Sequence, residues 1–230
     1  MPAPLRSAVV LGATGLVGGE LLRALSNLPS CESIVTLGRR PLGFALPRVI
    51  DVTADLSRPE TYREQLARDC VFCALGTTIR KAGSEAAFRA VDYDYPLVVA
   101  REALARGARR YVLVSAVGAN PKSQIFYNRV KGELEQALAS LPFPGGLRVL
   151  RPSVLLGERT ESRPGEQIAA TLMRATGGLF VGALQKYRAI KAIDVARAMI
   201  TAAESDSDGV LLYEGKSLFE AAQYGLQAHA

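Results

Sequence analysis

The sequence predicts an α/β protein, a Rossmann-type doubly wound parallel sheet, and two observations carry that prediction. Short apolar runs alternate strictly with longer amphipathic segments, the pattern of βαβ units whose sheet is covered on both faces. The first apolar run ends in Gly12-Ala-Thr-Gly15-Leu-Val-Gly18, a glycine-rich turn set between a strand and a helix.

The elements follow in order. Ser7 to Leu11 reads as a strand, and Leu16 to Leu28 as a helix stopped by Pro29. Ser33 to Leu37 is a second strand ended by Gly38, and Arg48 to Val52 a third. Pro59 to Arg68 is expected to be a helix with proline in its first turn, and Cys70 to Leu75 a fourth strand. Ser84 opens a long helical region that Gly107 stops, with a kink or restart at Pro96. Tyr111 to Ser115 is a fifth strand, Gln124 to Ser140 a helix, and Leu147 to Leu150 a sixth strand. A helix near Glu166 to Ala175 follows, then a short strand at Arg188 to Ala192 and a helix capped by Asp194 that runs to about Glu204. Gly209 to Tyr213 is the last strand and Ser217 to Gln223 the last helix. The helical crossovers are expected to be right-handed.

At 230 residues the chain fits one domain, 1–230, in which about 151–230 contributes a substrate-covering part. Composition removes several chemistries. The single histidine, His229, is next to the last residue, which argues against a Ser-His-Asp hydrolase, a His-ligated zinc site or a histidine base. The net charge is +6, yet the positive residues are dispersed apart from pairs such as Arg39-Arg40, so no nucleic-acid partner is expected. Three cysteines make no disulfide framework and fit a reducing compartment. Cys70-Val-Phe-Cys73 lies in an apolar run and reads as a buried strand, not a redox pair, and no metal site is expected. The apolar run before Gly12 is too short for a signal peptide, and nothing later suggests a membrane partner; a cytoplasmic protein is expected.

The glycine turn points to a dinucleotide. Gly12 permits the tight turn, Gly15 lets a pyrophosphate approach the backbone, and Gly18 lets helix and sheet pack. Thr14, Leu16 and Val17 fill the turn and the first helical positions, whose free N–H groups attract phosphate. The second strand ends in Arg39-Arg40 with no acid at its tip. Guanidinium groups there suit a 2′-phosphate, so NADP(H) is preferred, with NAD(H) as the alternative. Asp51, with Val52 beside it, is the expected adenine contact, while Asp55 suits a helix cap better. Leu75-Gly76-Thr77-Thr78, after the fourth strand, is expected to wrap the middle of the cofactor.

Tyr127 and Lys131 stand four residues apart on one helix face. A phenol is a poor acid–base near neutral pH unless a fixed positive charge beside it favours the phenolate. Ser115, 12 residues before the tyrosine, can hold a substrate oxygen next to it. A second pair, Tyr187 and Lys191, falls in an expected strand and has no serine at matching distance.

With Gly12-x-x-Gly15-x-x-Gly18, Ser115 and Tyr127-x-x-x-Lys131 in this order, the chain resembles the short-chain dehydrogenase/reductase family over essentially its whole length. It is similar, more narrowly, to the atypical branch that contains the Tat-interacting tumour-suppressor protein and its bacterial relatives. The residues behind that are Leu37-Gly-Arg-Arg40, Phe72-Cys-Ala-Leu-Gly-Thr-Thr78, Lys81-Ala-Gly83, Val130-Lys-Gly-Glu133 and Glu161-Ser-Arg-Pro-Gly-Glu166. The resemblance implies bound NADP(H), Tyr127 as proton donor or acceptor, Lys131 also on the nicotinamide ribose, and Pro152 near the nicotinamide. It also places Asp92 where most of the wider family carries asparagine, which puts that family's proton-relay water in question. Two functions follow: an NADP(H)-dependent oxidoreductase acting on a small carbonyl or alcohol, or a weak or inactive protein that senses NADP(H) through the same pocket. The substrate is a small molecule that the sequence does not name, and monomer and homodimer are both open.

Overall fold

The computed structural model describes residues 5–156 and 187–228. The strands are β1 (Ser7–Leu11), β2 (Ser33–Gly38), β3 (Val49–Thr53), β4 (Cys70–Cys73), β5 (Arg110–Val114) and β6 (Leu147–Arg151). Then come β7 (Leu155–Leu156), β8 (Ile190–Lys191) and β9 (Val210–Glu214). Seven of them form one parallel sheet in the order β3-β2-β1-β4-β5-β6-β9, while β7 and β8 pair separately. The chain moves outward from β1 to β3, then crosses back to β4 and continues the other way. That switch lies between β1 and β4, the place where open α/β sheets hold ligands.

The helices are α1 (Leu16–Asn27), α2 (Ile79–Ala82), α3 (Glu85–Arg89), α4 (Tyr95–Ala105), α5 (Phe126–Ala139), α6 (Ala192–Glu204) and α7 (Lys216–Ala228). Side chains alternate across a strand, so the sheet feeds two cores. On one face Val10, Ile34, Phe72 and Val112 pack with Leu21, Leu22 and Leu25 of α1, Val195 and Met199 of α6, and Leu218 of α7. On the other, Val9, Leu11, Val71 and Leu113 meet Val99 and Ala103 of α4 and Leu134 and Leu138 of α5. Cys70 and Cys73 belong to opposite cores, and both are buried free thiols whose pKa burial pushes up. They are structural strand residues.

The structure departs from the sequence reading at several elements. Residues 59–68 form two 3-10 turns, Pro59–Thr61 and Arg63–Leu66, and not one helix. Tyr62 breaks them apart at φ −137, because its ring is buried and its hydroxyl donates to the Leu56 carbonyl at 3.0 Å. Helix α2 was not expected; Thr78 caps it by accepting from the Lys81 N–H, and Gly83 ends it in the left-handed region at φ +85. Helix α6 starts before Asp194, which lies in its first turn, and α7 runs longer than expected. The helix expected near Glu166 to Ala175 lies outside the described residues.

Pro96 lies in the first turn of α4, where the helical region restarts as expected. Ala90–Asp94 form a π turn, in which the Tyr95 N–H reaches the Ala90 carbonyl five residues back. The widened turn accommodates a residue that has no N–H to donate, and the backbone stays helical through Asp94 at φ −67 and ψ −51. Its effect on the site is direct, because it turns Asp92 inward, where the side chain is fully buried.

Candidate functional site

The glycine turn is shaped by contacts that exclude side chains. Gly12 sits at φ +80, and a Cβ there would lie 2.6 Å from the Ala74 carbonyl oxygen. A Cβ at Gly18 would come within 2.1 Å of the Gly12 oxygen, which is backbone and cannot swing away. Gly15 turns its N–H back to Gly12 at 2.9 Å, and its own Cβ position approaches the Gly12 oxygen at 3.1 Å. Helix α1 then begins with no side-chain cap and no acid in its first turn. Uncapped N–H groups and a tight glycine cradle fit the pyrophosphate of a dinucleotide.

A cleft of about 840 Å³ opens from this turn across the carboxyl ends of β1, β4 and β5. Thr14, Gly15, Leu16 and Val17 line one part, Leu75, Gly76 and Thr77 the middle, and Ser115, Tyr127, Lys131, Asp92 and Pro152 the far part. Arg40, Leu42 and Phe44 from the β2–β3 loop close the near end, and the ion pair of Arg23 with Glu20, at 2.9 Å, and Lys81 also belong to the lining. That size suits a cofactor with a small substrate. Gly12 and Gly18 do not line the cleft; they hold the turn together from behind. Arg39 is exposed beside Arg40 and outside the lining; exposed Asp51 and half-buried Val52 also lie outside it.

Asp51 lies within β3, opposite Thr36 in register, and not at the strand's end. Its Oδ1 accepts from Thr36 Oγ1 at 2.6 Å and its Oδ2 from the Leu42 N–H at 2.8 Å. Both oxygens are therefore engaged within the protein. Asp55, beyond the strand, accepts from the N–H and hydroxyl of Ser57 at 2.9 and 2.8 Å.

The far part of the cleft is organised around Asp92. Its Oδ2 accepts from the Thr77 N–H at 2.9 Å, which ties the π turn to the loop after β4. Its Oδ1 lies 2.8 Å from Lys131 Nζ, off the line of a well-aligned hydrogen bond. The two side chains are 0% and 4% exposed. Burial by itself would pull the Lys131 pKa down, but the charge of Asp92, with a smaller contribution from Tyr127, outweighs it, and the net shift is upward. Lys131 is thus a fixed cation. The Tyr127 ring packs tilted against the buried ring of Phe88, with centroids 5.7 Å apart, which sets the direction of the phenol.

Sequence reasoning missed a further pair. Ser115 Oγ donates to Glu135 Oε1, and Arg151 grips the same carboxylate with Nε at 3.0 Å on Oε1 and Nη2 at 2.5 Å on Oε2. The bond to Glu135 is the chief cause that raises the Arg151 pKa. The signal was present as Tyr127, Lys131 and Glu135 at four-residue spacing on one helix face. The loop residues Glu161, Arg163 and Glu166 lie outside the described residues. Among the described residues, no group of three His, Cys, Asp or Glu could hold a metal ion.

The family model described as the NAD dependent epimerase/dehydratase family matches residues 8–211. Protein FMP52, mitochondrial, of Candida albicans is 36% identical over 211 residues, spanning 89% of this chain and 91% of its own. Protein HTATIP2 of Rattus norvegicus is 36% identical over 218 residues, spanning 93% and 88%. Among solved structures, MoeE5 in complex with UDP-glucose and NAD superposes with a TM-score of 0.67 at 17% identity, covering 95% of this chain and 81% of that one. The human epimerase family protein SDR39U1 with NADPH gives 0.59 at 18% identity, covering 96% and 79%. These two show the fold. Together with the family match and the relatives, they place the chain in the NAD dependent epimerase/dehydratase family, as an atypical short-chain dehydrogenase/reductase.

Proposed function

We propose that the protein is an NADP(H)-dependent oxidoreductase that reduces a small carbonyl or oxidises the corresponding alcohol, with Tyr127 passing the proton. One observation carries this reading: a single cleft joins the glycine turn and Arg40 at one end to Ser115, Tyr127 and Lys131 at the other. Gly15, Leu16 and Val17 would hold the pyrophosphate, and Lys131 and Pro152 would flank the nicotinamide end. Bound NADP(H) supplies or accepts the hydride.

The preference for NADP(H) rests on Arg40. The tip of β2 carries no acid, Arg40 lines the cleft, and Asp51 has both oxygens engaged elsewhere. Among the structural neighbours, NAD accompanies MoeE5 and NADPH accompanies SDR39U1, so the choice for this chain is made by its own residues.

At the reacting end, Tyr127 holds the transferable proton on its phenolic oxygen, with Lys131 one helical turn on in the same part of the cleft. Ser115 donates to Glu135 and so presents lone pairs to the cleft. To polarise a carbonyl it must turn its proton away from Glu135, breaking a charge-assisted bond of about 1.5–3 kcal/mol. This engagement, with that of Lys131 by Asp92, favours a second reading, in which the protein binds NADP(H) with little or no turnover and reports its presence.

The partner of the cleft is a small molecule under either reading. No helix among the described residues is long and apolar enough to cross a membrane. The cytoplasmic location belongs to the same proposal; the buried free thiols support a reducing compartment, which a reducing mitochondrial compartment would satisfy equally.

The cofactor reading is tested by titrating the protein with NADPH and NADH side by side and following nicotinamide fluorescence. We expect NADPH to bind about tenfold or more tightly than NADH, with most of that margin lost in Arg40→Ala. Equal affinities in the wild type would contradict the assignment of Arg40.

A further inference from the structure

We infer that Asp51 is a positioning residue for cofactor discrimination: its carboxylate fixes the loop that presents Arg40 to the cleft. The inference rests on the proposed pairing of Arg40 with a 2′-phosphate.

Residues 39–48 connect β2 to β3 and carry Arg40, Leu42 and Phe44 to the cleft. The far end of this loop is tied down by Arg48, which donates to the carbonyls of Ser26, Leu28 and Cys31 at 2.5, 3.1 and 2.7 Å. Arg48 pairs with those carbonyls from a left-handed backbone position at φ +63. The near end leaves β2 at Gly38.

Between these ends the loop is exposed around Pro41, Gly43 and Phe44, and Gly43 itself sits at φ +78. The side chains of Leu42 and Leu46 pack against the core, and the polar link of this stretch to the sheet is the Leu42 N–H, which donates to Asp51 Oδ2 at 2.8 Å. The other oxygen of Asp51 accepts at 2.6 Å from Thr36 Oγ1, a buried residue directly across the β2–β3 ladder. The anchor is thus rooted in the rigid part of the sheet. Arg40 is two residues from the anchored N–H.

A long side chain such as arginine binds a phosphate well only when its backbone is held, because otherwise binding must also order the loop. Asp51 supplies that hold without facing the cleft. It therefore affects a cofactor that reaches for Arg40 and leaves one without the 2′-phosphate nearly untouched.

The chemistry of the anchor makes a specific comparison available. An asparagine at position 51 can accept from the Leu42 N–H through its amide oxygen and donate to Thr36 Oγ1 through its amide nitrogen. Alanine can do neither.

The test measures NADPH and NADH affinities for the full chain as wild type, Asp51→Ala and Asp51→Asn, together with hydrogen exchange over residues 39–47. Asp51→Ala is expected to weaken NADPH about tenfold and NADH less than about twofold, and to speed exchange in the loop. Asp51→Asn should stay within about threefold of wild type for both. Equal weakening of NADPH and NADH in Asp51→Ala would overturn the inference, since it would mark a contact to the shared part of the cofactor or a general loss of structure. Tighter NADPH binding in both variants would overturn it as well, because Asp51 would then act through its charge. A wild-type preference for NADPH that Asp51→Ala leaves intact, or unchanged loop exchange, overturns this inference alone. Equal wild-type affinities overturn the reading of Arg40 and this inference with it.

Discussion

Changing Tyr127 to phenylalanine is expected to lower kcat for carbonyl reduction by about 10²–10⁴-fold, the usual contribution of a positioned acid–base. The ring itself should stay in place, because its packing against Phe88 does not involve the hydroxyl. NADPH affinity is therefore expected to remain within about threefold of wild type, so that the loss appears in kcat and not in binding. Ser115 is a poor substitute donor while its proton is committed to Glu135. Rates of NADPH oxidation at saturating cofactor, measured for both proteins with the same carbonyl, give the comparison. Turnover that survives the substitution would mean that the proton travels by another route.

Asp92→Ala is the change with the largest expected effect on stability, about 3–5 kcal/mol, because it strands the buried Lys131 ammonium without its counter-charge. The Thr77 N–H loses its acceptor in the same step, which loosens the loop after β4. A double variant, Asp92→Leu with Lys131→Met, removes both charges and should be far closer to wild type than Asp92→Ala alone. Urea unfolding of the three proteins reads this directly. A loss below about 1 kcal/mol in Asp92→Ala would show that the pair is not what holds Lys131.

The strands were legible because buried parallel strands are continuous apolar runs. Val9, Val10, Ile34 and Val35 need little beyond their composition to announce themselves. The glycine turn was legible for a similar reason, since only glycine tolerates the approaches that Gly12 and Gly18 make. The segment at residues 59–68 was not, because burial of Tyr62 overrides the helical periodicity around it. Pro96 marked the restart at α4 but not its form. A proline announces disruption, but the π turn that absorbs it depends on Asp92 finding Thr77 and Lys131, which come from other parts of the chain.

Tyr127 and Lys131 stand out from their spacing along one helix, whereas the partners of Lys131 and Ser115 come from long-range pairing. Glu135 was overlooked because an acid on a helix face reads as a solvated surface until Ser115 and Arg151 converge on it from β5 and β6. Asp51 was read as a ligand contact because it follows a strand-like run. The structure adds the two bonds that its oxygens accept, from Thr36 across the ladder and from the Leu42 N–H, which composition alone does not announce.

The claim that this cleft performs hydride chemistry is tested most directly by following the hydride itself. The protein would be incubated with NADPH carrying deuterium at the transferable position and a panel of small aldehydes and ketones, and the alcohol products weighed by mass spectrometry. The account predicts deuterium on the carbinol carbon of at least one product, sharply reduced in Tyr127→Phe. Saturated NADPH binding with no deuterium transferred to any of the panel would contradict it and leave the cleft as a site that binds the cofactor without using it.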